Sequence, residues 1–329
     1  MKLFADKLLA ALVATCALAA APDQARSQPA ADYPAKPIRM VISSPAGGGV
    51  DVVVRLTGDR LMRTKGWSMI MDNRSGAGGN IGTETVAKST PDGYTLLGTT
   101  NNHTMNQFIY KNPGYDPTKD FAAIVQLTEA PSVMITSPQS QYRSLKDVIS
   151  AARNQPGKIV YVTSGSGTQT HAAGEMIKKA VNIDLTHIPY KGGALANQDV
   201  MAGQIPLGMA ALPAVAANIQ AGTLRAIAVT SPKRWVTLPD VPAVAEFGYP
   251  GFSHMTWIGC FAPTGTPASI VARLNRELVA VLTTPDMRER VLGVGAQVVA
   301  KSPADFEAML KADYEANGKL ASQIGLKVQ

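Results

Sequence analysis

Three glycine-rich loops in this sequence have the composition of anion-binding sites. The first loop is residues 44–51 (SPAGGGVD), the second is residues 76–82 (GAGGNIG) and the third is residues 164–171 (SGSGTQTH); each stands between an apolar run and a helical pattern. Glycine loses more backbone freedom on folding than any other residue, so a glycine cluster indicates that something approaches the backbone closely. The first N–H groups of a helix lack partners within the helix and carry partial positive charge. We therefore expect these loops to bind anions, with an anionic group held at residues 46–49 of the first loop.

The second loop has the spacing of a dinucleotide-binding variant, Gly76-x-Gly78-x-x-x-Gly82. A dinucleotide site also needs an acidic residue after the next strand, where it binds a ribose hydroxyl. In this sequence that strand ends in Thr99-Thr-Asn-Asn102, and the loop lacks the Lys-Ser/Thr ending of a phosphate-binding P-loop. We therefore expect no nucleotide site and no other cofactor.

Hydrolase chemistry is the alternative function for the third loop, because Ser166 and His171 are the residue types of a nucleophile and its base. However, Ser164 occupies the first glycine position of the G-x-S-x-G motif. A base also needs an orienting carboxylate and an oxyanion hole, neither of which the sequence shows. We favour a His171 that lies in the first turn of a helix and bonds to backbone or ligand. The histidines also lack the spacing of metal ligands, so no metal site is expected.

Composition and length describe an ordinary globular protein. The 329 residues are 46% hydrophobic and 17% charged, which is enough apolar material for a full core, and the length favours two domains. The formal net charge of +7 comes from scattered Lys and Arg residues without a basic run of the kind that binds nucleic acid. We therefore expect no nucleic-acid partner and a mild attraction for small anions.

The N-terminus has the pattern of a secretory signal peptide. Lys2 and Lys7 precede the apolar residues 8–21, and a polar, proline-containing segment follows. The apolar stretch is too short for a comfortable membrane span. We predict export to the periplasm and removal of a leader within residues 1–30, which leaves Cys260 as the only thiol and excludes an internal disulfide.

Apolar runs alternate with helical patterns along the rest of the chain, which indicates an α/β architecture with mainly parallel sheets. A strand is predicted over residues 38–43, followed by a helix over residues 51–64. The long apolar stretch at residues 121–136 predicts either a strand pair or a single strand that crosses between domains. A Ser144/Asp147 capping box marks the start of a helix that ends near residue 154.

Four polar residues next to these elements are candidates for ligand contact. Thr99 and Thr100 end a strand, and open parallel sheets bind ligands at the carboxyl ends of their strands. Asn80 either donates its amide to a carboxylate or bridges the second loop. Asp51 either braces the first loop through its N–H groups or contacts a ligand that carries an amine, because a carboxylate would repel an anion.

Nine motifs in one order resemble the Bug family of periplasmic solute-binding proteins, the substrate-binding receptors of tripartite tricarboxylate transporters. The resemblance covers nearly all of the chain after the leader. The residues that carry it are 33–39 (YPAKPIR), 45–51 (PAGGGVD) with Arg55, 72–82 (DNRSGAGGNIG), 91–97 (PDGYTLL), 164–168 (SGSGT) with His171, 188–192 (IPYKG), 222–225 (GTLR), 238–242 (LPDVP) and 262–267 (APTGTP).

The resemblance implies a two-domain α/β periplasmic-binding-protein fold of the type II-like, Venus-flytrap kind, with a ligand cleft between the domains. We expect domain 1 to be discontinuous, at residues 33–128 plus 253–329, and domain 2 to cover residues 129–252. The chain would cross between them near residues 121–138 and near residues 249–263.

The resemblance also implies the ligand and the residues that hold it. One carboxylate of a small organic acid or amino acid would lie between residues 45–51 and residues 164–168, one loop from each domain, partly through waters. Tyr190 and Asp199 match family positions on the second domain. The predicted ligand-binding residues are Ala46, Gly47, Gly48, Gly49, Asp51, Asn80, Thr99, Thr100, Ser164, Gly165, Ser166, Gly167, Thr168, His171, Tyr190 and Asp199.

The family further implies a receptor rather than an enzyme, which acts as a monomer and delivers its ligand to the membrane subunits of a tripartite tricarboxylate transporter. This sequence departs from many relatives at Ser44, where they carry an aromatic residue, and at Val50, where they carry Thr or Ser. Ser44 makes a smaller and more polar wall, so aromatic ligands are less expected.

Overall fold

The computed structural model describes residues 32–325 of the chain. The predicted leader at residues 1–30 lies outside the described residues. The fold described below is one compact unit that begins at Pro34. Within residues 32–325, no helix is both long enough and apolar enough to cross a bilayer.

Strands and helices alternate along the described chain, as the sequence predicts for an α/β protein. The strands are β1 (Ile38–Ile42), β2 (Met69–Asn73), β3 (Thr95–Thr100), β4 (Phe121–Thr136), β5 (Val160–Thr163), β6 (Thr186–Pro189), β7 (Leu207–Ala211), β8 (Arg225–Val229), β9 (Met255–Pro263) and β10 (Gln297–Val298). The helices are α1 (Gly49–Lys65), α2 (Asn80–Ala87), α3 (Asn102–Ile109), α4 (Leu145–Asn154), α5 (Gln169–Val181), α6 (Gly193–Met201), α7 (Leu212–Gln220), α8 (Ala268–Leu282), α9 (Pro285–Gly293) and α10 (Pro303–Gln323). Short 3₁₀ helices cover Ala77–Gly79 and Val244–Phe247.

Local sequence signals account for where several helices start and stop. The predicted capping box of α4 is confirmed, because the Ser144 hydroxyl accepts from the Asp147 N–H and the Asp147 carboxylate accepts from the Ser144 N–H. Helix α1 begins two residues before its predicted start, with Gly48 as its N-cap. It ends at Lys65 and is followed by Gly66, whose φ of 67° is the left-handed conformation that glycine adopts at helix C-termini.

The first half of the sheet is organised around β1, which pairs in parallel with β2 and with β3. Strand β3 pairs antiparallel with β9, and β9 pairs antiparallel with β4. Because β1, β2 and β3 run in the same direction, their carboxyl ends meet at one edge, and the loops that follow them lie there.

The second half of the sheet is organised around β5, which pairs in parallel with β6 and with β7. Strands β7 and β8 both pair antiparallel with β4. The mainly parallel pairing predicted from the sequence therefore holds around β1 and β5, whereas every pairing of β4 and β9 is antiparallel.

Strand β4 belongs to both halves. Its residues 121–131 pair with β9, and its residues 132–136 pair with β7 and β8. The apolar stretch for which the sequence left two alternatives is thus a single strand of 16 residues.

Both faces of the second half-sheet are covered by helices and are apolar. Met134 of β4 packs in one hydrophobic cluster, with Ile177 of α5, while Val133 and Ile135 pack in another, with Val215 of α7. Successive residues of a strand point to opposite faces, so β4 supplies core residues to both clusters. This double burial explains why residues 133–135 of β4 are apolar at successive positions rather than at alternate ones.

Candidate ligand-binding site

A cavity of about 560 Å³ lies among the ends of the strands and the loops that follow them. Strands β4 and β9 contribute Ala130, Thr256 and Ile258 to its lining, and β7 contributes Met209 and Ala210. Residues from both halves of the sheet therefore surround one space, as expected for a site at the carboxyl ends of parallel strands.

Six helices of the described chain place their N-cap or first-turn residues at this cavity. These residues are Gly48 and Gly49 of α1, Gly79 of α2, Asn102 of α3, Thr168, Gln169 and Thr170 of α5, Gly192 and Gly193 of α6, and Ala211, Pro213 and Ala214 of α7. Each helix N-terminus carries partial positive charge and N–H groups without helical partners. Among the described lining residues only Lys191 has a formal charge, and none is acidic. The cavity therefore favours an anion.

The first loop meets the cavity at the start of α1 rather than at its glycine tip. Gly48 and Gly49 line the cavity, but Ala46 and Gly47 do not. The N–H groups of Gly47 and Gly48 are already used, since they donate to the Asp51 carboxylate at 2.9 Å and to the Pro45 carbonyl at 3.1 Å. The donors at the cavity are the first N–H groups of α1, those of Gly49 and the residue after it.

Asp51 holds the first loop from inside the protein. It is 4% exposed, does not line the cavity, and accepts hydrogen bonds from the Gly47 N–H, from Arg55 Nε at 2.7 Å and from Asn73 Nδ2 at 2.8 Å. Asn73 Nδ2 also donates to the Ser44 carbonyl at 3.0 Å, which ties the end of β2 to the same loop. Of the two roles considered for Asp51, this geometry is that of a brace.

The third loop presents Ser164, Gly165, Ser166 and Thr168 to the cavity. Beside them in the lining, Thr170 Oγ1 contacts the hydroxyls of Ser164 and Thr168 at 2.9 and 3.0 Å and accepts from the Ser164 N–H at 3.2 Å. This hydroxyl cluster fixes the loop at the N-terminus of α5, where Thr168 is the N-cap.

His171 lies behind the third loop and does not line the cavity, and neither does Gly167. The Gly167 N–H donates to His171 Nδ1 at 3.1 Å, and the imidazole stacks on His187 with ring centroids 3.9 Å apart. The pKa of His171 is lowered by burial, so its neutral form is favoured. Because Nδ1 already accepts from the backbone, this nitrogen is not free to take a proton from Ser166.

The second loop forms a wall of the cavity in a left-handed conformation. Gly76, Ala77, Gly78 and Gly79 all have positive φ, including 47° for Ala77, and all four line the cavity. The amides of two α3 residues hold this loop: Asn102 Nδ2 and Asn106 Nδ2 donate to the Gly78 carbonyl at 2.9 and 3.1 Å. A positive φ at a non-glycine residue such as Ala77 is strained and is maintained only where surrounding contacts enforce it, which is typical of functional sites.

Five further predicted residues divide between the cavity and its surroundings. Thr100 and Tyr190 line the cavity. Thr99 accepts from the Ser43 hydroxyl at 2.8 Å, Asn80 accepts from Tyr115 at 3.3 Å, and Asp199 accepts from the Tyr190 hydroxyl; these three do not line it. The structure thus places one group of predicted residues at the cavity and the other directly behind it.

Sequence reasoning missed the contributions of α3, α6 and α7. Pro213 in the first turn of α7 is a typical helix-start signal and could have been used. Asn102, Gln169 and Thr256 had no such signal, because they are brought together only by long-range contacts.

Two glycines allow the halves of the molecule to touch beside the cavity. A Cβ atom added at Gly192 would lie 2.9 Å from Pro45 Cγ, and one added at Gly49 would lie 3.1 Å from Ala211 Cβ. The loop before α6 therefore packs against the first loop, and the start of α1 packs against the end of β7.

Two α/β halves that share strand β4 around one cavity define a two-domain periplasmic-binding-protein fold of the Venus-flytrap kind. Residues 53–326 match the sequence profile of the tripartite tricarboxylate transporter family receptors, and the chain belongs to this family. The resemblance and the fold class predicted from the sequence are confirmed.

Known relatives and solved structures agree with this assignment. Protein BugT of Bordetella pertussis is 31% identical over 299 residues, which cover 90% of this chain and 92% of BugT. The structure of the periplasmic binding protein BugD is 34% identical with a TM-score of 0.85, covering 90% of this chain and 100% of that one. The structure of R. palustris Rpa4515 with adipate is 33% identical with a TM-score of 0.87, covering 91% of this chain and 100% of that one.

Burial of the histidines predicts that stability falls in mild acid. Burial lowers the pKa of His103 to about 3, those of His187 and His254 to about 4, and that of His171 below its ordinary value. Below about pH 6.5 the unfolded chain therefore binds more protons than the folded protein. We expect a constant melting temperature just above about pH 6.5 and a decrease from there toward pH 5, as measured by circular dichroism at fixed ionic strength.

The variant His103→Phe provides the control for this pH dependence. His103 lies 4.7 Å from both Phe121 and Phe261, measured between ring centroids, so a phenyl ring suits its surroundings. The variant should show a shallower decrease between about pH 6.5 and 5 because one of the four titrating groups is gone. A melting temperature that rises as the pH falls over this window would contradict the prediction.

Proposed function

We propose that this protein is an extracytoplasmic receptor that binds a small carboxylate-containing metabolite in the cavity, for tripartite tricarboxylate-type uptake or for sensing. The observation that carries the proposal is the convergence of six helix N-termini on a cavity whose described lining contains one cation and no acid. Such N–H groups bind a carboxylate without a buried lysine or arginine. Family membership supports the proposal, as does the adipate in the similar R. palustris structure.

The carboxylate is held from both sides of the cavity in this proposal. Gly48 lets the ligand approach the backbone, and the N–H groups of Gly49 and the residue after it supply one side. Ser164, Ser166 and Thr168 supply the other side. Backbone donors suit this role because they cannot deprotonate and require no ordering of long side chains. Each half supplies part of the donors, so the anion is fully bonded only when the halves are together.

The predicted residues that do not line the cavity act from behind it in this proposal. They fix the loops whose N–H groups and hydroxyls reach the ligand. These residues are Ala46, Gly47, Asp51, Asn80, Thr99, Gly167, His171 and Asp199.

The domain boundaries belong to the same proposal. We place domain 1 at residues 33–128 plus 253–329 and domain 2 at residues 129–252. The change of partner along β4 after residue 131 supports the first crossing, and the start of β9 at Met255 supports the second. Closure of the cleft between the two domains would then twist β4 and β9, because the proposed crossings lie in these strands.

The remaining parts of the proposal concern processing and partners. The leader at residues 1–30 is removed on export to the periplasm, and the mature chain acts as a monomer. It needs no cofactor, releases its ligand unchanged, and delivers it to membrane subunits of a tripartite tricarboxylate transporter. The use of His171 Nδ1 by the backbone argues against Ser166 hydrolysis.

Isothermal titration calorimetry with unbranched mono- and dicarboxylates of two to eight carbons tests the function. We expect saturable binding at one site per chain, with the acid recovered unchanged. Micromolar affinity corresponds to about −8 kcal/mol, within reach of a few charge-assisted hydrogen bonds in a desolvated cleft. The variant Gly48→Val should bind at least ~100-fold more weakly, because its side chain would crowd the Pro45 carbonyl, 3.1 Å from an added Cβ, and would cover the N–H groups behind it.

Gly293→Val is the matched control for Gly48→Val. A Cβ atom added at Gly293 meets nothing within 4 Å, and this residue lies at the end of α9 away from the cavity lining. The control should bind as the wild type does. Unchanged binding in Gly48→Val would contradict the placement of the carboxylate at the start of α1, and turnover that Ser166→Ala abolishes would refute the receptor function.

A further inference from the structure

Three polar side chains at the cavity are buried and have unpartnered atoms. Asn102, Gln169 and Thr256 are 7%, 5% and 8% exposed, and all three line the cavity. Among the described residues, Asn102 Oδ1, both amide atoms of Gln169 and the Thr256 hydroxyl have no hydrogen-bond partner. Buried polar groups in native proteins are nearly always hydrogen-bonded, because an unpaired one costs free energy. We name these residues the polar trio.

The polar trio is assembled around the start of β9. Asn101, the neighbour of Asn102, donates to the Met255 carbonyl at 3.3 Å and accepts from the Trp257 N–H at 2.9 Å, so it spans Thr256. The imidazole of His254 approaches the backbone of Gln169. The first residues of α3 and α5 therefore flank the strand that carries Thr256.

The trio offers both donors and acceptors but no charge. Asn102 Nδ2 donates to the Gly78 carbonyl, which fixes Oδ1 as an acceptor. Gln169 offers an amide donor and an amide acceptor, and the Thr256 hydroxyl can serve as either. Lys191, the one charged residue in the described lining, is exposed and adjoins Gly192, which packs on the first loop.

We infer that the ligand carries, besides its carboxylate, an uncharged group that both donates and accepts hydrogen bonds, such as a carboxamide or a hydroxyl. This inference rests on the proposed function, since the carboxylate occupies the helix N-termini. A second carboxylate is disfavoured at the trio, because it brings only acceptors to the acceptor Asn102 Oδ1 and meets no cation there. A carboxamide satisfies acceptors and donors together.

Four probes of equal chain length test the inference by calorimetry: glutarate, its half-amide glutaramate, 5-hydroxypentanoate and pentanoate. The same series with four and six carbons covers other ligand lengths. We expect the half-amide and the hydroxy acid to bind at least ~10-fold tighter than the diacid and the alkyl acid at the best length. A diacid that binds as tightly as the half-amide would overturn the inference.

Substitutions within the polar trio test which of its residues bind the uncharged group of the ligand. Gln169→Leu and Thr256→Val should each reduce the affinity for the half-amide about tenfold more than the affinity for pentanoate. Gln126→Leu and Thr128→Val are matched controls, because these β4 side chains are equally buried, have unpartnered oxygens, and lie outside the cavity lining. Variants that keep the wild-type ratio of half-amide to pentanoate affinity would overturn the inference.

The same titrations separate the inference from the proposed function. If pentanoate or glutarate binds and neither the half-amide nor the hydroxy acid binds more tightly, only the inference fails. If none of the probes binds at any length, both fail.

Discussion

Gly192→Val is expected to weaken carboxylate binding at least ~100-fold, or about 3 kcal/mol, because it prevents the halves of the molecule from meeting beside the cavity. Gly192 has a φ of 118°, which a valine rarely adopts, and an added Cβ would lie 2.9 Å from Pro45 Cγ. The Gly192 N–H also donates to the Ser164 carbonyl at 3.1 Å, so a shifted backbone would displace the third loop. Calorimetry with the tightest-binding acid measures the loss.

Two comparisons isolate the steric contact with Pro45. Gly248→Val places the same side chain at a φ of 93° where an added Cβ meets nothing within 4 Å, and its affinity should match the wild type. Pro45→Ala removes the opposing Cγ, so the double variant should recover part of the lost affinity in a double-mutant cycle. Wild-type affinity in Gly192→Val would show that this contact is not needed for binding.

Asp51→Ala is expected to lower the free energy of unfolding by about 2–4 kcal/mol. The carboxylate accepts from the Gly47 N–H, from Arg55 and from Asn73, and its removal leaves these donors without their acceptor. Arg55 is 41% exposed and can turn to water, which keeps the effect below that of a fully buried ion pair. Urea unfolding measures the change, and binding should weaken as well because the first loop loses its brace.

Asp59→Ala and Asp51→Asn complete this experiment. Asp59 is an exposed residue of the same helix, so its removal should change stability by less than about 0.5 kcal/mol. Asp51→Asn keeps the shape of the side chain and should fall between the wild type and Asp51→Ala. Equal stabilities for Asp51→Ala and Asp59→Ala would contradict the bracing role.

The sequence predicts the elements around the site well where local patterns determine them. The capping box at Ser144 and the glycine loops could be predicted, because helix capping and left-handed backbone depend on the residues of one short segment. Helix α3 was not predicted, because its short sequence NHTMNQFI is rich in polar residues, and polar residues such as His103 and Asn106 are buried together with the apolar ones.

The site could be predicted only in part for a related reason. A glycine pattern shows that a backbone is accessible, but it does not show which N–H groups the loop itself uses. In the first loop those of Gly47 and Gly48 are used internally, and this moves the available donors into α1. The polar trio depends on contacts between positions 102, 169 and 256, which no local pattern records.

The pairing of β9 has a consequence for the order in which the protein can fold during synthesis. Strand β3 ends at Thr100 and β4 ends at Thr136, but their common partner β9 begins only at Met255. A growing chain therefore exposes two strand edges until its last quarter has been made. Pairings between such distant segments form slowly and leave apolar edges open to aggregation, so a nascent chain stalled before Met255 should depend on chaperones.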